Sequence, residues 1–156
     1  MPDARSEAWR NASTQLGFLS VAWNRTVPSA TQAAMETTGQ VLALYRLRFG
    51  TLPVEVRWPD GAAGSVDVAA AWTEDRKAFT VAVVNPTSGD QAIKVDWKGV
   101  KLGAGSVWTL RSDDPQAFND PAKPEVVKVV EGQAGAPGGT LTVPGYSVTL
   151  WRWAVE

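Results

Sequence analysis

Three aspartates, Asp113, Asp114 and Asp120, fall within the stretch RSDDPQAFNDPAKP (Arg111–Pro124). Two carboxylates held about 5–10 Å apart across a cleft are what glycoside hydrolysis needs, one of them with a raised pKa to protonate the leaving oxygen. Glu74, Asp75, Asp67 and Asp96 are further carboxylates to weigh, but the loop trio is the most concentrated. The competing reading is conformational, because aspartates beside prolines close turns and cap backbone N–H groups. Nothing adjacent supplies a water-excluding pocket or a partner that would tune a pKa. Calcium is the other chemistry this loop offers, through Ser112, Asp113, Asp114, Asn119 and Asp120. The ion takes about 6–8 hard oxygen ligands, yet the spacing matches no EF-hand loop. The expectation is therefore no catalytic residue, no metal and no cofactor.

Composition narrows the chemistry further. The 156 residues include no cysteine and no histidine. Disulfides, thiolate metal sites, Ser-His-Asp and Cys-His catalysis are thereby excluded. Fifteen basic against sixteen acidic residues give a net charge of −1, with no basic stripe for nucleic acid. No run approaches the roughly 20 apolar residues of a membrane span. The start, MPDARSEAWRNAS, mixes acids with bases and has no apolar core, so it does not read as a secretory signal. A cytoplasmic location is expected on that ground.

Eight tryptophans are the compositional oddity. In Tyr146–Val155, Ser147, Thr149, Trp151 and Trp153 share one face of an extended chain, and Tyr146, Val148 and Leu150 share the other. Trp151 and Trp153 thus lie on the face that begins polar. Two readings stand: the pair stacks on a sugar ring, or it packs against the helix or a neighbouring domain.

The elements that must position these residues are mostly strands. In SVDVAAAWTEDRKAFTVAVVN (Ser65–Asn85), Val66, Val68, Ala70 and Trp72 alternate, as do Phe79, Val81 and Val83. The polar break Thr73–Lys77 makes the pair a hairpin. Further strands are expected at 54–58, 91–97, 106–110, 126–131, 141–143 and 146–155. Before them, Ser29 and Gln32 form a capping box, and Ala34, Thr38, Val41, Leu42, Tyr45 and Phe49 make one stripe of a helix. Gly50 then serves as a left-handed cap and Pro53 forbids continuation. The expected fold is mainly β: an antiparallel β-sandwich of about eight strands preceded by one amphipathic α-helix. Residues 1–50 would be an N-terminal arm and helix, and 51–156 the sandwich. Leu16–Trp23 is apolar without a clean period and reads as a short strand or a helix turn.

Three stretches together carry a family likeness: VDVAAAWTEDRKAFTVAVVNPT (Val66–Thr87), AFNDPAKPEVV (Ala117–Val127) and LTVPGYSVTLWRW (Leu141–Trp153). They resemble the C-terminal region of family-51 α-L-arabinofuranosidases, glycoside hydrolases built from a catalytic (β/α)₈ barrel followed by a β-sandwich. YRLRFGTLPVEV (Tyr45–Val56) is similar to the passage from the last barrel helix into the sandwich. The resemblance covers about Gln40 to the end, and it implies that residues 1–38 are the tail of a barrel.

Such enzymes use two glutamates at the ends of barrel strands. This chain has no barrel, and none of Glu7, Glu36, Glu55, Glu74, Glu125, Glu131 or Glu156 stands in a barrel-strand motif. No catalytic residue carries over. The resemblance implies an accessory domain, inactive alone, of an enzyme acting on arabinose-containing plant polysaccharides. Its expected partner is the parent's barrel or a second copy of itself. The alternative is a stand-alone carbohydrate-binding module that takes an arabinose-containing oligosaccharide on Trp151 and Trp153.

Overall fold

The computed structural model describes residues 19–23, 31–59 and 64–156. They form two units. The first takes in the described residues up to Ala43 together with Gln116–Lys128, and the second Leu44–Pro115 with Val129–Glu156. Leu44–Phe49, expected with the N-terminal arm, thus pack in the second unit, and Gln116–Lys128, expected within the sandwich, group with the first.

In the first unit β1 (Leu19–Trp23) pairs antiparallel with β2 (Thr31–Met35), Leu19 opposite Met35 and Trp23 opposite Thr31. The helix α1 (Thr37–Arg48) follows β2 after one residue. The expected helix start at Ser29 lies outside the described residues, and its second capping-box member, Gln32, is in a strand. The helical stripe was extrapolated too far back, because Thr31–Met35 finds its hydrogen bonds in a ladder with β1 instead. The first helical bond closes from Gln40 N–H to the Glu36 carbonyl.

The rest of the first unit is held to this segment by one buried asparagine. Asn119 Nδ2 donates to the Met35 carbonyl at 3.2 Å and to the Val127 carbonyl at 2.7 Å, while its Oδ1 accepts from Val127 N–H at 2.8 Å. Gln40 Nε2 donates to the same Val127 carbonyl at 2.8 Å.

The second unit has eight strands in two antiparallel sheets: β3 (Leu52–Val54), β4 (Asp67–Trp72), β5 (Ala78–Asn85), β6 (Gln91–Lys94), β7 (Leu102–Arg111), β8 (Val129–Ala134), β9 (Thr140–Val143) and β10 (Ser147–Val155). Six form a sheet in the order β3-β4-β5-β10-β7-β8, and β6 pairs with β9. The sandwich expected from the alternating runs is what the chain folds into. The Thr73–Lys77 turn joins β4 to β5 where the polar break falls, with Trp72 opposite Phe79 and Val68 opposite Val83.

Register fixes which side chains share a face. Val68, Ala70 and Trp72 of β4 align with Val83, Val81 and Phe79 of β5, and these with Thr149, Trp151 and Trp153 of β10. This face, with Leu141 and Val143 of β9 and with Ile93, Val95 and Trp97, forms the main core between the two sheets. Burying it removes apolar surface from water at about 25 cal/mol per Å². The opposite face carries Ala82, Trp108 and Leu150 and is covered by Leu44, Tyr45 and Phe49 from the end of α1 and the residue after it. Leu44 is buried there and Leu42 is exposed, so the buried stripe is rotated from the one the spacing suggested. Sheet strands buried on both faces read as continuous apolar runs, as AFTVAVV does in β5.

Gly50 is required by space rather than by backbone angle. A Cβ there would lie 2.4 Å from the Trp72 carbonyl oxygen. Among the described glycines only Gly99 has a positive φ, so Gly50 is not the left-handed cap expected of it. Its N–H donates to Thr80 Oγ1 at 2.9 Å, and that hydroxyl donates in turn to the Ala71 carbonyl at 2.9 Å. Two backbone groups beside the sheet are satisfied through one buried threonine.

Candidate functional site

The loop after β7 puts its carboxylates to conformational use. Asp113 Oδ1 accepts from Arg111 Nη2 at 2.8 Å, both side chains well exposed. Asp114 N–H donates to Ser112 Oγ at 3.1 Å, a local turn closed by a hydroxyl. Asp120 Oδ1 accepts from Ala122 N–H at 2.7 Å and Lys123 N–H at 2.8 Å, and the backbones of Asp120 and Lys123 bridge one another. Asp113 and Asp114 belong to the second unit and Asp120 to the first. Among the described residues no group of three or more histidine, cysteine, aspartate or glutamate side chains could hold a metal ion.

The remaining candidate carboxylates lie on hairpins. Asp75 accepts from Thr73 Oγ1 at 2.7 Å and from Lys77 N–H at 3.1 Å. The Thr73 hydroxyl first, then Lys77, holds its pKa below the ordinary aspartate value. Asp96 is likewise lowered, by its side-chain bond to Lys98, the Lys98 N–H and the Lys98 charge. A general acid for glycoside cleavage needs the opposite shift, which burial in an apolar site produces. Tyr45 moves upward through burial and then the charge of Asp67, which keeps its phenol protonated.

The tryptophan pair is interior. Trp151 is 8% and Trp153 1% exposed, their rings stacked with centroids 6.0 Å apart and 8° between planes. The chain of ring contacts runs on from Trp153 to Trp97 at 5.5 Å, from Trp97 to Phe79 at 6.3 Å and from Phe79 to Trp72 at 4.7 Å, each edge-on. Trp153 Nε1 donates to the Gly135 carbonyl at 3.0 Å and Trp97 Nε1 to the Gly138 carbonyl at 2.9 Å. A sugar platform needs open ring faces, and this pair offers none. The sugar-stacking reading arises because this face begins with Ser147 and Thr149. Both are buried, and the Ser147 hydroxyl is satisfied by the Pro144 carbonyl at 2.7 Å. The pair does pack, but against the small sheet of its own unit and not against the helix.

Two asparagines organise the polar interior: Asn119, weighed in the sequence only as a calcium ligand, and Asn85, which sequence reasoning passed over. Asn119 is the hub of the first unit, and Asn85, 1% exposed, is that of the second. Asn85 Nδ2 donates to the carbonyls of Gly89 and Pro144 at 2.9 Å and of Val143 at 3.3 Å, and its Oδ1 accepts from Thr87 N–H at 3.0 Å and Thr87 Oγ1 at 2.7 Å. Each asparagine stands one or two residues before a proline, at the end of a strand or inside a loop. That pattern was the available signal.

No protein-family signature matches the sequence. No curated protein matches it either. Solved structures do match, at the level of fold. An arabinose-bound GH51 α-L-arabinofuranosidase aligns with a TM-score of 0.68 and 16% identity over 87% of this chain and 21% of its own. The α-L-arabinofuranosidase of Thermotoga maritima, in an arabinose complex, gives 0.65 and 18% over 87% of this chain and 31% of its own. A β-porphyranase of glycoside hydrolase family 86 from Bacteroides plebeius gives 0.58 and 12%, over 89% and 22%. The chain therefore spans between a fifth and a third of the length of these enzymes. The likeness to α-L-arabinofuranosidases implied by the three sequence stretches is found again in the fold.

Proposed function

We propose that this chain is an accessory, non-catalytic β-sandwich domain of an α-L-arabinofuranosidase-like glycoside hydrolase acting on arabinose-containing plant polysaccharides. The observation that carries this reading is the mismatch in coverage: 87% of this chain aligns with 21% of an arabinose-bound enzyme. Nearly all of this chain has a counterpart in such an enzyme, and most of the enzyme has none here.

The disposition of carboxylates supports the non-catalytic part. Asp113 is ion-paired, Asp120 closes a turn, and the lowered pKa values of Asp75 and Asp96 run away from general-acid chemistry. The partner in this reading is the catalytic (β/α)₈ barrel of the same polypeptide, and residues 1–38 are the tail of that barrel. In the first unit Met35, Phe118 and Val126 are each about half exposed or more, beside the buried Asn119 and Val127. Exposed apolar side chains gathered in this way mark a surface that another protein part covers. Among the described residues no helix is long and apolar enough to cross a membrane, and the reading takes the enzyme to be cytoplasmic.

The test is direct. The purified chain is expected to release no chromophore from an aryl α-L-arabinofuranoside, and an in-frame barrel is expected in the coding sequence upstream of Met1. Turnover by the isolated chain would overturn the reading.

A further inference from the structure

The two ends of the sandwich are closed by different means. At the Ser147 end of β10 the loops are clamped by the Asn85 carboxamide. Gly145 N–H donates to Asp90 Oδ1 at 3.0 Å and Tyr146 N–H to the Thr87 carbonyl at 2.8 Å. A Cβ on Gly145 would run into the Ser88 carbonyl, so that end has no slack. At the Trp153 end the closure is the loop from Ala134, the last residue of β8, to Thr140, the first of β9. Register places it there, since Ala134 lies opposite Gly105 of β7, and Gly105 opposite Trp153.

Little packing holds this loop. Three of its five residues are glycine, and its side chains are those of Ala136, exposed, and Pro137, half-buried. Nothing lies within 4 Å of a Cβ built on Gly135 or Gly138, and on Gly139 only the Val95 carbonyl oxygen, at 3.9 Å. Three hydrogen bonds do the holding. Trp153 Nε1 donates to the Gly135 carbonyl at 3.0 Å, Trp97 Nε1 to the Gly138 carbonyl at 2.9 Å, and Val95 N–H to the Gly139 carbonyl at 2.8 Å. Two of the three donors are neighbouring rings of the aromatic row, edge-on with centroids 5.5 Å apart. The loop therefore runs along the N–H edges of a wholly buried and a half-buried indole.

We infer that residues 135–139 are a strap that opens as a unit while both sheets stay folded, with the indoles of Trp97 and Trp153 as its latch. Opening gives up three hydrogen bonds, and water replaces each of them at a small net cost. It returns backbone freedom to three glycines, the residues that lose most of it on ordering. β10 has no such route, because it is bonded to β5 on one side and β7 on the other. Openings of this kind lie well below the global unfolding free energy. The open strap leaves two adjacent indole N–H donors facing solvent at the mouth of the layer between the sheets. This inference is independent of the glycoside-hydrolase reading, since it uses only the packing and hydrogen bonds of one loop.

The experiment is hydrogen exchange at the indole N–H groups of the full chain, followed by NMR and compared with the backbone amide of Leu150 in β10. Trp97→Phe and Trp153→Phe assign the two indole signals. Relative to their intrinsic rates, both indoles are expected to exchange ~100-fold faster than the Leu150 amide, with matching protection and no response to low urea. Gly135→Ala combined with Gly138→Ala fills open space and removes freedom from the open strap, so it should slow both indoles by about tenfold. A urea midpoint checks that this variant is folded. Indoles that share the Leu150 rate and urea dependence, that differ widely from each other, or that ignore the double alanine change each overturn the proposal.

Discussion

The carboxamide of Asn85, at the end of β5, donates to the carbonyl of Pro144, 59 residues later, at 2.9 Å. The same nitrogen reaches the Gly89 carbonyl, and the oxygen of that side chain closes on Thr87. One buried amide thus ties the exit of the central strand to the turn that launches β10. An amide suits the position because it is a donor and an acceptor at once, and neither a carboxylate nor an aliphatic side chain is both.

Replacing Asn85 by Ala or by Asp should therefore destabilise the chain markedly. Both changes leave buried carbonyls without a donor, and Asp adds a charge. A cost of about 2–4 kcal/mol is expected in urea unfolding, through a lower midpoint and an unchanged slope.

Trp153→Ala should cost about 3–5 kcal/mol, since it opens a large cavity among Trp97, Trp151 and the sheet. Trp153→Phe keeps most of the volume but leaves the Gly135 carbonyl without its indole donor, and should cost less. Thermal denaturation of the two variants checks the order.

Gly50→Ala places a methyl 2.4 Å from the Trp72 carbonyl oxygen, a backbone atom that cannot swing aside. The expected cost is about 1–3 kcal/mol. Amide hydrogen exchange should show faster exchange at the Thr51 N–H, which donates to that same carbonyl.

Asp75 gives a prediction in pH. Its folded pKa is lowered from 3.8, mainly by the Thr73 hydroxyl. A depressed carboxylate contributes stability that is present above the unfolded pKa and is lost as pH falls through the folded one. Asp75→Asn should thus be less stable than the wild type near neutrality, and the gap should close in acid below the ordinary aspartate range. Chemical denaturation at a series of pH values measures the gap, and a constant difference across the series would refute the assignment.

The strand content was largely legible in the chain. Alternation of Val66, Val68, Ala70 and Trp72 marked the strand at Asp67–Trp72, and the apolar run at Ala78–Asn85 marked a strand that proves to be buried on both faces. Three things were not legible. The start of α1 was misplaced because helical spacing runs on into Thr31–Met35, and only the pairing partner Leu19–Trp23 decides against it. The burial of Trp151 and Trp153 was hidden by Ser147 and Thr149, polar residues that the interior accepts because Ser147 finds a carbonyl. The grouping of Gln116–Lys128 with the N-terminal segment rests on Asn119, and a single hydrogen-bonding hub has no periodicity to reveal it. The turn at Asp120 is local, since Ala122 and Lys123, its neighbours in sequence, are also its partners in space.

β10, the last strand, stands in the interior of the sheet between β5 and β7. During synthesis the ribosome delivers β4–β5 early and β7–β8 later, but the strand that joins the two pairs comes only at Ser147–Val155. Until those residues leave the exit tunnel, each pair presents an open inner edge. The six-stranded sheet therefore cannot close before Ser147–Val155 are present, and a chain without them would hold the β4–β5 and β7–β8 pairs with no strand to join them.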